Sequence, residues 1–129
     1  MIKTVTVLLD TNALLMPHQH GIDVFSEISR IVSEKYYLAT LSTVVDELES
    51  ISSSRAKDDG VAAEVGLKLL REKGVSIIPS EGPVDDALAE YASRWGALVC
   101  TNDRYLKAKL KAKGVRVISM RGKTHLEVG

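Results

Sequence analysis

Short apolar runs alternate with longer segments of helical periodicity along most of this chain. The first run, KTVTVLL at residues 3–9, is rich in β-branched residues and is typical of a strand buried on both faces of a parallel sheet. Similar runs predict four more strands, at residues 36–41, 75–78, 97–100 and 115–119. Apolar residues at helical spacing predict helices over about 21–34, 42–53, 61–73, 84–95 and 103–113.

Strands that alternate with helices at this spacing predict an α/β fold built from βαβ units with right-handed crossovers. The stretch SISSSRAKDDG is the most loop-like segment because it combines a serine cluster, charges and a glycine. No internal repeat, low-complexity tract or linker divides the chain, so we expect a single domain over residues 1–129. The last segment, RGKTHLEVG, is predicted either to pack or to hang loose.

The composition excludes several classes of protein. The chain is 45% hydrophobic and 26% charged, which is ordinary for a globular domain. No apolar run approaches the roughly 20 residues needed to cross a bilayer, and the first residues lack a signal-peptide cleavage region. We therefore expect a cytoplasmic protein without a membrane partner. The single cysteine, Cys100, excludes an intrachain disulfide, and its apolar strand predicts a core residue rather than a nucleophile.

Charge is distributed unevenly along the chain, although the formal net charge is zero. Residues 1–101 carry 9 basic and 15 acidic side chains, whereas residues 102–129 carry 8 basic and 2 acidic ones. In the basic part, Arg104, Lys107 and Lys111 fall on one face of a predicted helix, which suits either contact with phosphates or simple solvation. Aromatic residues make up only 5% of the chain, so strong stacking on nucleobases is not predicted.

Two acidic residues follow predicted strands closely. Asp10 comes directly after TVTVLL, and Asp103 comes shortly after ALVC. Open parallel sheets place their sites beyond the carboxyl ends of the strands, so both carboxylates are candidate site residues. Each also has a purely structural interpretation, because Asp10 suits an Asx-turn and Asp103 suits the first turn of a helix.

Helical geometry separates further acidic residues by the face on which they lie. Glu47 falls on the edge of the apolar stripe of the 42–53 helix, where a carboxylate is costly unless it is paired or bound to a metal. In the 84–95 helix, Asp85 projects onto the apolar face and Asp86 lies nearer to solvent. We therefore prefer Asp85 as a candidate and keep Asp86 as the second choice. Both could instead simply complement the helix N-terminus.

Such carboxylates, brought together, predict metal-assisted chemistry. Close carboxylates raise one another's pKa and do not all stay ionised without cations. Oxygen ligands of this kind favour Mg²⁺ or Mn²⁺. Ions held in this way suit phosphodiester hydrolysis, because one lowers the pKa of a water and another stabilises the leaving oxygen. Two histidines at His18 and His20 lie in a predicted loop with a proline and a glycine, which is not a preformed metal site.

Four segments, LLDTNALL, VVDELESI, VDDALAEYA and ALVCTNDRYLKAKLKAKGVRVI, resemble the PIN-domain family across nearly the whole chain. The combination is specific: DTN, a helical Glu, an Asp followed by apolar residues, and TND 16–18 residues later. Within the family, the chain is most similar to the archaeal branch that includes VapC-type toxins and ribosomal-RNA-processing PIN nucleases of the Fcf1 kind. The resemblance implies a three-layer α/β/α sandwich with a five-stranded parallel sheet in the order 3-2-1-4-5, and frequent homodimers.

The resemblance also implies roles for individual residues. By motif, the family's acidic metal ligands match Asp10, Glu47, Asp85 and Asp103. Counting back from Asp103 again favours Asp85 over Asp86. Two further positions, Asn12 and Thr101, match polar positions of the family's site and are expected to orient ligands or waters.

The function implied is that of an endoribonuclease that uses Mg²⁺ or Mn²⁺, and specifically the toxin of a VapBC-type system with a cognate antitoxin. Two alternatives remain open: a PIN nuclease that processes ribosomal RNA, and an RNA-binding PIN module with little catalysis. A phosphatase-like hydrolase is a third interpretation. It lacks the expected DxD motif, because position 12 is Asn.

Overall fold

A six-stranded sheet forms the centre of the fold in the computed structural model, which describes residues 4–54 and 57–129. Its strands are β1 (Thr4–Leu9), β2 (Lys35–Leu41), β3 (Ser76–Ile78), β4 (Leu98–Cys100), β5 (Val117–Arg121) and β6 (His125–Val128). They lie in the order β3-β2-β1-β4-β5-β6, and neighbours are parallel except for β5 and β6. The expected order 3-2-1-4-5 is confirmed, but the expectation of five strands, all parallel, is wrong. Lys3 of the predicted first strand and residues 55 and 56 of the predicted loop lie outside the described residues.

In the described residues, six helices cover the two faces of the sheet: α1 (Thr11–His20), α2 (Val24–Ile31), α3 (Ser42–Ser52), α4 (Lys57–Glu72), α5 (Val84–Trp95) and α6 (Arg104–Ala112). Helix α4 packs against α1 and α3, whereas α5 packs against α6. Right-handed crossovers explain this grouping, because the chain moves along the sheet in one direction from β1 to β3 and in the other direction from β4 to β5. The predicted three-layer sandwich is confirmed. Among the described residues, no helix has the length and apolarity to span a membrane.

The first helix, α1, is the element that the sequence pattern misses, because residues 11–20 follow the first acid motif and are predicted as a loop. The helix predicted over 21–34 is present as α2, and Gly21, whose φ of 64° lies in the left-handed region, ends α1 before it. Pro17 lies inside α1, so the segment resembles a loop in sequence. Asp10 nevertheless starts the helix by accepting a hydrogen bond from the backbone N–H of Ala13.

The middle of the sheet is the best-buried part of the fold. Val7, Leu8 and Leu9 of β1 have no measurable exposure, and all three residues of β4 are buried as well. Burial on both faces agrees with the unbroken apolar runs in the sequence. Cys100 belongs to this core, and its burial, with a smaller effect of the Asp10 charge, raises the pKa of its thiol. This agrees with the prediction of a core residue rather than a nucleophile.

The C-terminal segment forms the edge strand β6, which is held by α2. Glu27 accepts a hydrogen bond from the Leu126 N–H at 2.9 Å, and Arg30 donates one to the Leu126 carbonyl at 3.1 Å. These contacts satisfy backbone groups that an edge strand otherwise leaves open to pairing with another chain. Hydrogen bonds from Arg30 first, and then from Leu126, lower the pKa of Glu27 to about 2. The C-terminal segment therefore packs against the rest of the fold. Its two hydrogen bonds to α2 are not revealed by sequence periodicity.

Replacing Glu27 by glutamine is expected to loosen β6 selectively. The amide keeps one acceptor but loses the ion pair with Arg30, so hydrogen exchange of the Leu126 amide should become several-fold faster while β1 exchange stays slow. Because the pKa of Glu27 is lowered from 4.5 to about 2, its contribution is complete above about pH 4.5 and is lost as the pH falls toward 2. Glu64→Gln, at an exposed position of α4, is the control. Equal exchange rates for Leu126 in both variants would contradict the role given to Glu27.

Candidate functional site

The site lies where β1 and β4 end side by side. Leu9 pairs with Cys100 in the sheet register, and the Asp10 N–H donates to the Cys100 carbonyl at 3.3 Å. Asp10 and Thr101, the residues that follow the two strands, therefore share one edge of the sheet. This is the carboxyl-end placement that the strand pattern predicts.

Asp10 is the buried acid of the site, with 4% of its surface exposed. Its Oδ1 accepts the Ala13 N–H at 2.7 Å, so the residue also has a local structural role, although as the N-cap of α1 and not in the Asx-turn that the sequence suggested. Burial, with a smaller effect of the Asp103 and Asp85 charges, raises the pKa of Asp10 to about 7, although hydrogen bonds from Thr101 and Ala13 oppose the rise. Capping therefore accounts for one oxygen, but it does not neutralise a carboxylate in a buried position.

Thr101 connects the two acids at the strand ends. It is fully buried, its hydroxyl is hydrogen-bonded to the Asp10 carboxylate, and its Oγ1 accepts the Asp103 N–H at 3.0 Å. Asp103 in turn caps α6, because its Oδ1 accepts the Leu106 N–H at 2.8 Å. A single threonine hydroxyl thus ties the side chain of one acid to the backbone of the other.

Asn12 restrains the same loop from the opposite side. Its Oδ1 accepts the backbone N–H of Asn102 at 3.0 Å, which joins the first turn of α1 to the loop that carries Asp103. Next to it, Thr11 is buried, and its Oγ1 has no hydrogen-bond partner among the described residues. Thr11 is not among the predicted site residues. Its position in the middle of the DTN motif is the sequence feature that could have identified it.

The two neighbouring acids of α5 have different surroundings. The pKa of Asp85 is raised by partial burial first, and then by the charges of Asp103 and Glu47. Asp86 instead forms an ion pair with Lys109 of α6. The angular prediction that Asp85 projects onto the apolar face is wrong, because both side chains are exposed at the start of the helix. The Lys109 charge also acts on Asp85, but there it is a smaller effect than those of Asp103 and Glu47, and only Asp86 is in contact with the lysine; this difference agrees with the preference for Asp85.

Glu47 reaches the acidic group from α3, but not as predicted. Only Val44 and Leu48 of α3 are fully buried, so the apolar stripe is narrow and Glu47 stays exposed at its margin. The argument that Glu47 needs a partner because it is buried is therefore wrong. Its charge nevertheless acts on Asp85, so all four predicted acids belong to one electrostatic group.

Four carboxylates thus come from the ends of β1 and β4 and from α3 and α5. Within residues 4–54 and 57–129, no three acidic, histidine or cysteine side chains lie close enough to form a ready-made metal cage. The donors are nevertheless oxygen atoms of the type preferred by Mg²⁺ and Mn²⁺, and Asp10 is buried with no cationic partner in the part of the chain that the structure describes. The residues present therefore fit a divalent cation. His18 and His20 lie at the end of α1, where His18 contacts Asp58, away from this group.

The basic residues that the sequence singles out lie on α6, beside the acids. Arg104 directly follows Asp103 and is exposed, Lys107 is half-buried and Lys111 is exposed. In the described part of the chain, no carboxylate forms an ion pair with any of these three. Their cationic groups are therefore available to an anion that approaches the acidic group.

Comparison with known sequences identifies relatives of this chain. A family model described as "PIN like domain" matches residues 7–123. The chain is 31% identical over 121 residues to Ribonuclease VapC4 of Methanocaldococcus jannaschii, with 92% of each chain covered. It is 32% identical over 115 residues to Ribonuclease VapC9 of Archaeoglobus fulgidus, with 89% of this chain and 82% of the relative covered.

Solved structures show the same architecture at lower sequence identity. The PIN domain endonuclease Utp24 superposes with a TM-score of 0.79 at 22% identity, covering 95% of this chain and 90% of that one. PAE2754 of Pyrobaculum aerophilum superposes with a TM-score of 0.53 at 24% identity, covering 89% and 92%. These likenesses confirm the arrangement of helices and strands described above.

Proposed function

The chain belongs to the PIN-like domain family, and we propose that it is a divalent-metal-dependent endoribonuclease that hydrolyses phosphodiester bonds in RNA. The observation that carries the proposal is the buried carboxylate of Asp10 at the adjoining ends of β1 and β4. The charges of Asp103 and Asp85 act on it, and the described residues give it no cationic partner. RNA is proposed as the substrate because both sequence relatives are named ribonucleases.

Asp10 and Asp103 would hold the ion, with Asp85 and Glu47 closing the site from the helices. A bound Mg²⁺ or Mn²⁺ supplies a water of lowered pKa and stabilises negative charge on the phosphate. The role of the protein is to hold Asp10 and Asp103, the two strand-end acids, in a fixed position relative to each other. Thr101 does so through bonds to both acids, and Asn12 holds the connecting loop.

The basic face of α6 would position the RNA backbone. The predicted phosphate contacts are Arg104, Lys107 and Lys111. Arg104 is the first residue of α6 and directly follows Asp103, a proposed metal ligand. Such cations would also offset the repulsion between acidic side chains and an incoming polyanion. Contacts of this type fix the position of a strand without reading its sequence.

Activity should depend on the divalent ion and on Asp85 more than on Asp86. Fluorescently labelled RNA is expected to be cleaved with Mg²⁺ or Mn²⁺ and to stay intact in EDTA. Asp85→Asn and Glu47→Gln should slow cleavage by roughly 10- to 100-fold or more, as for groups that hold or orient a catalytic metal. Asp86→Asn should have a smaller effect, because its partner is Lys109.

Asp46→Asn is the matched control for Glu47, since it lies one residue away on the same helix and is exposed. Equal losses in the Asp46 and Glu47 variants would remove Glu47 from the site. Binding of RNA without cleavage under any metal condition would support the alternative of an RNA-binding module instead.

For the biological role, we propose the toxin of a VapBC-type system, with residues 1–129 forming one PIN domain that acts as a homodimer and is held inactive by an antitoxin protein. The two relatives named VapC support this choice over ribosomal-RNA processing, because the Utp24 likeness is one of fold. Induced expression should arrest growth, and Asp10→Asn should abolish the arrest. Normal growth with active enzyme, together with altered ribosomal-RNA precursors, would favour the processing role.

A further inference from the structure

A cleft of about 290 Å³ opens beside the acidic group, between α5 and the loop that follows β3. Its floor is Leu41, the last residue of β2, and its loop wall contains Pro79 and Ser80. That wall is fixed, because Ser80 donates its N–H to Ser42 Oγ at 2.9 Å and its hydroxyl bonds Thr43 Oγ1 at 2.8 Å. The volume is at the lower end of the range for ligand pockets, which suits one small planar group better than a protein segment.

The helical wall of the cleft is aromatic. Tyr91 and Trp95 lie one turn apart on α5, with ring centroids 6.2 Å apart and planes inclined by 38°. The Arg94 guanidinium lies 5.9 Å from the Trp95 ring centroid. Trp95 is 66% exposed, which is unusual for so large an apolar side chain. Although the chain contains few aromatic residues, these two rings lie together, and a further planar group can stack against them.

The charges in the cleft select against a phosphate. Glu81, Asp86 and Glu90 line it together with Arg94, and Asp86 is neutralised by Lys109. The remaining carboxylates would repel an anion, but they accept hydrogen bonds from N–H groups on the edge of a nucleobase. An uncharged, planar group that donates hydrogen bonds fits both the rings and the acids.

We infer that this cleft binds an unpaired nucleobase of the RNA, a few nucleotides at most from the phosphate that is cleaved. This inference rests on the proposed function for its substrate. Tyr91 lies six and Trp95 ten residues after Asp85, which is about 9 and 15 Å along the helix axis. The base in the cleft therefore belongs to a neighbouring nucleotide and not to the reacting one. Its binding requires a single-stranded segment, because a paired base cannot insert.

Trp95 is the only tryptophan in the chain, so its fluorescence reports on the cleft directly. We expect a short single-stranded RNA to quench this emission in a saturable manner, both for the wild-type protein in EDTA and for Asp10→Asn with Mg²⁺. A fully paired RNA of the same sequence should quench far less. Trp95→Ala and Tyr91→Ala should each weaken binding of labelled single-stranded RNA, measured by anisotropy, by about 5- to 150-fold, the range for loss of one base–aromatic stack.

Tyr37→Ala is the matched control, because Tyr37 is 62% exposed on β2 and does not line the cleft. Its RNA affinity should be unchanged. Trp95→Phe should retain most of the affinity, since a smaller ring still stacks. Circular dichroism should be the same for all variants, because the replaced rings are largely or partly at the surface.

Three results would overturn the inference. RNA that binds by anisotropy without changing Trp95 emission would place the strand elsewhere. An absence of RNA binding under both conditions would show that the cleft does not hold a base. Trp95 emission that changes on dilution without RNA would show that a second copy of the chain covers the cleft. The nuclease proposal is tested separately: cleavage without quenching contradicts only the cleft, and quenching without metal-stimulated cleavage contradicts only the nuclease.

Discussion

Replacing Asp10 by asparagine is expected to abolish RNA cleavage while the fold is retained. The substitution removes the one carboxylate that faces both Asp103 and Asp85 from a buried position. Loss of groups that merely orient a metal ligand costs about 10- to 100-fold, so loss of the central ligand should cost more than 100-fold in kcat/KM. The measurement is the initial rate of cleavage of a labelled RNA at saturating Mg²⁺ or Mn²⁺.

The fold should survive because asparagine is as good a helix cap as aspartate. Its Oδ1 can accept the Ala13 N–H, as the carboxylate does at 2.7 Å. Asp23→Asn provides a matched control, since Asp23 caps α2 in the same way by accepting the Ser26 N–H at 3.1 Å. That variant should cleave RNA at the wild-type rate. Undiminished cleavage by Asp10→Asn, or an equal loss in both variants, would reject the site.

Stability without a metal ion should fall as the pH rises from about 4 to about 7. Burial, together with Asp103 and Asp85, raises the pKa of Asp10 from 3.8 to about 7. Over this interval the unfolded chain has lost the Asp10 proton while the folded chain keeps it, so the free energy of unfolding decreases with pH. The full difference corresponds to at most about 4 kcal/mol, which is large beside a typical total of about 5–15 kcal/mol.

A divalent cation should reverse this trend. Because the ion binds the ionised carboxylates, the rise in Tm that Mn²⁺ or Mg²⁺ produces should be small near pH 5 and largest above pH 7. Asp85, whose pKa is also raised, acts in the same direction, whereas Glu27 acts with the opposite sign below about pH 4.5. Thermal melts at several pH values, with and without the ion, measure the effect.

Asp10→Asn separates the Asp10 contribution from the others. This variant should be more stable than the wild-type protein in EDTA at pH 7, and its stability should depend less on pH in the 4–7 interval. Its response to the metal should also be weaker. A wild-type pH profile in the variant would show that Asp10 is not the titrating group.

The elements that the sequence predicts best are those whose pattern is complete within a short segment. Helix α5 spans the predicted 84–95, and β1 and β2 agree with their apolar runs. Helix α1 is missed because Pro17 and two histidines hide it, although Asp10 caps it through the same carboxylate that serves the site. The edge strand β6 pairs with β5, its neighbour in sequence, but the contacts that hold its outer edge come from α2, nearly 100 residues away.

The candidate site likewise combines features that the sequence predicts with features that it does not. Placement of Asp10 and Asp103 follows from strand ends alone, because parallel strands bring their carboxyl ends to one edge. The choice between Asp85 and Asp86 does not follow from helical angles, since both are exposed; it depends on Lys109, which neutralises one of them. Glu47 is predicted as a site residue because of a burial that the structure does not show. It contributes to the acidic group only because its charge acts on Asp85.

By itself, the sequence determined the α/β class, the strand-end acids and a core of unbroken apolar strands, because these depend on local periodicity and on the order of elements. Only the tertiary structure decided which acids face one another, how α2 closes the sheet edge, and that Tyr91 and Trp95 border a cleft beside the site. The physical reason is that sheet register and crossovers join residues far apart in the chain, as in the bond between Asn12 and Asn102. Local patterns contain no information on such pairs.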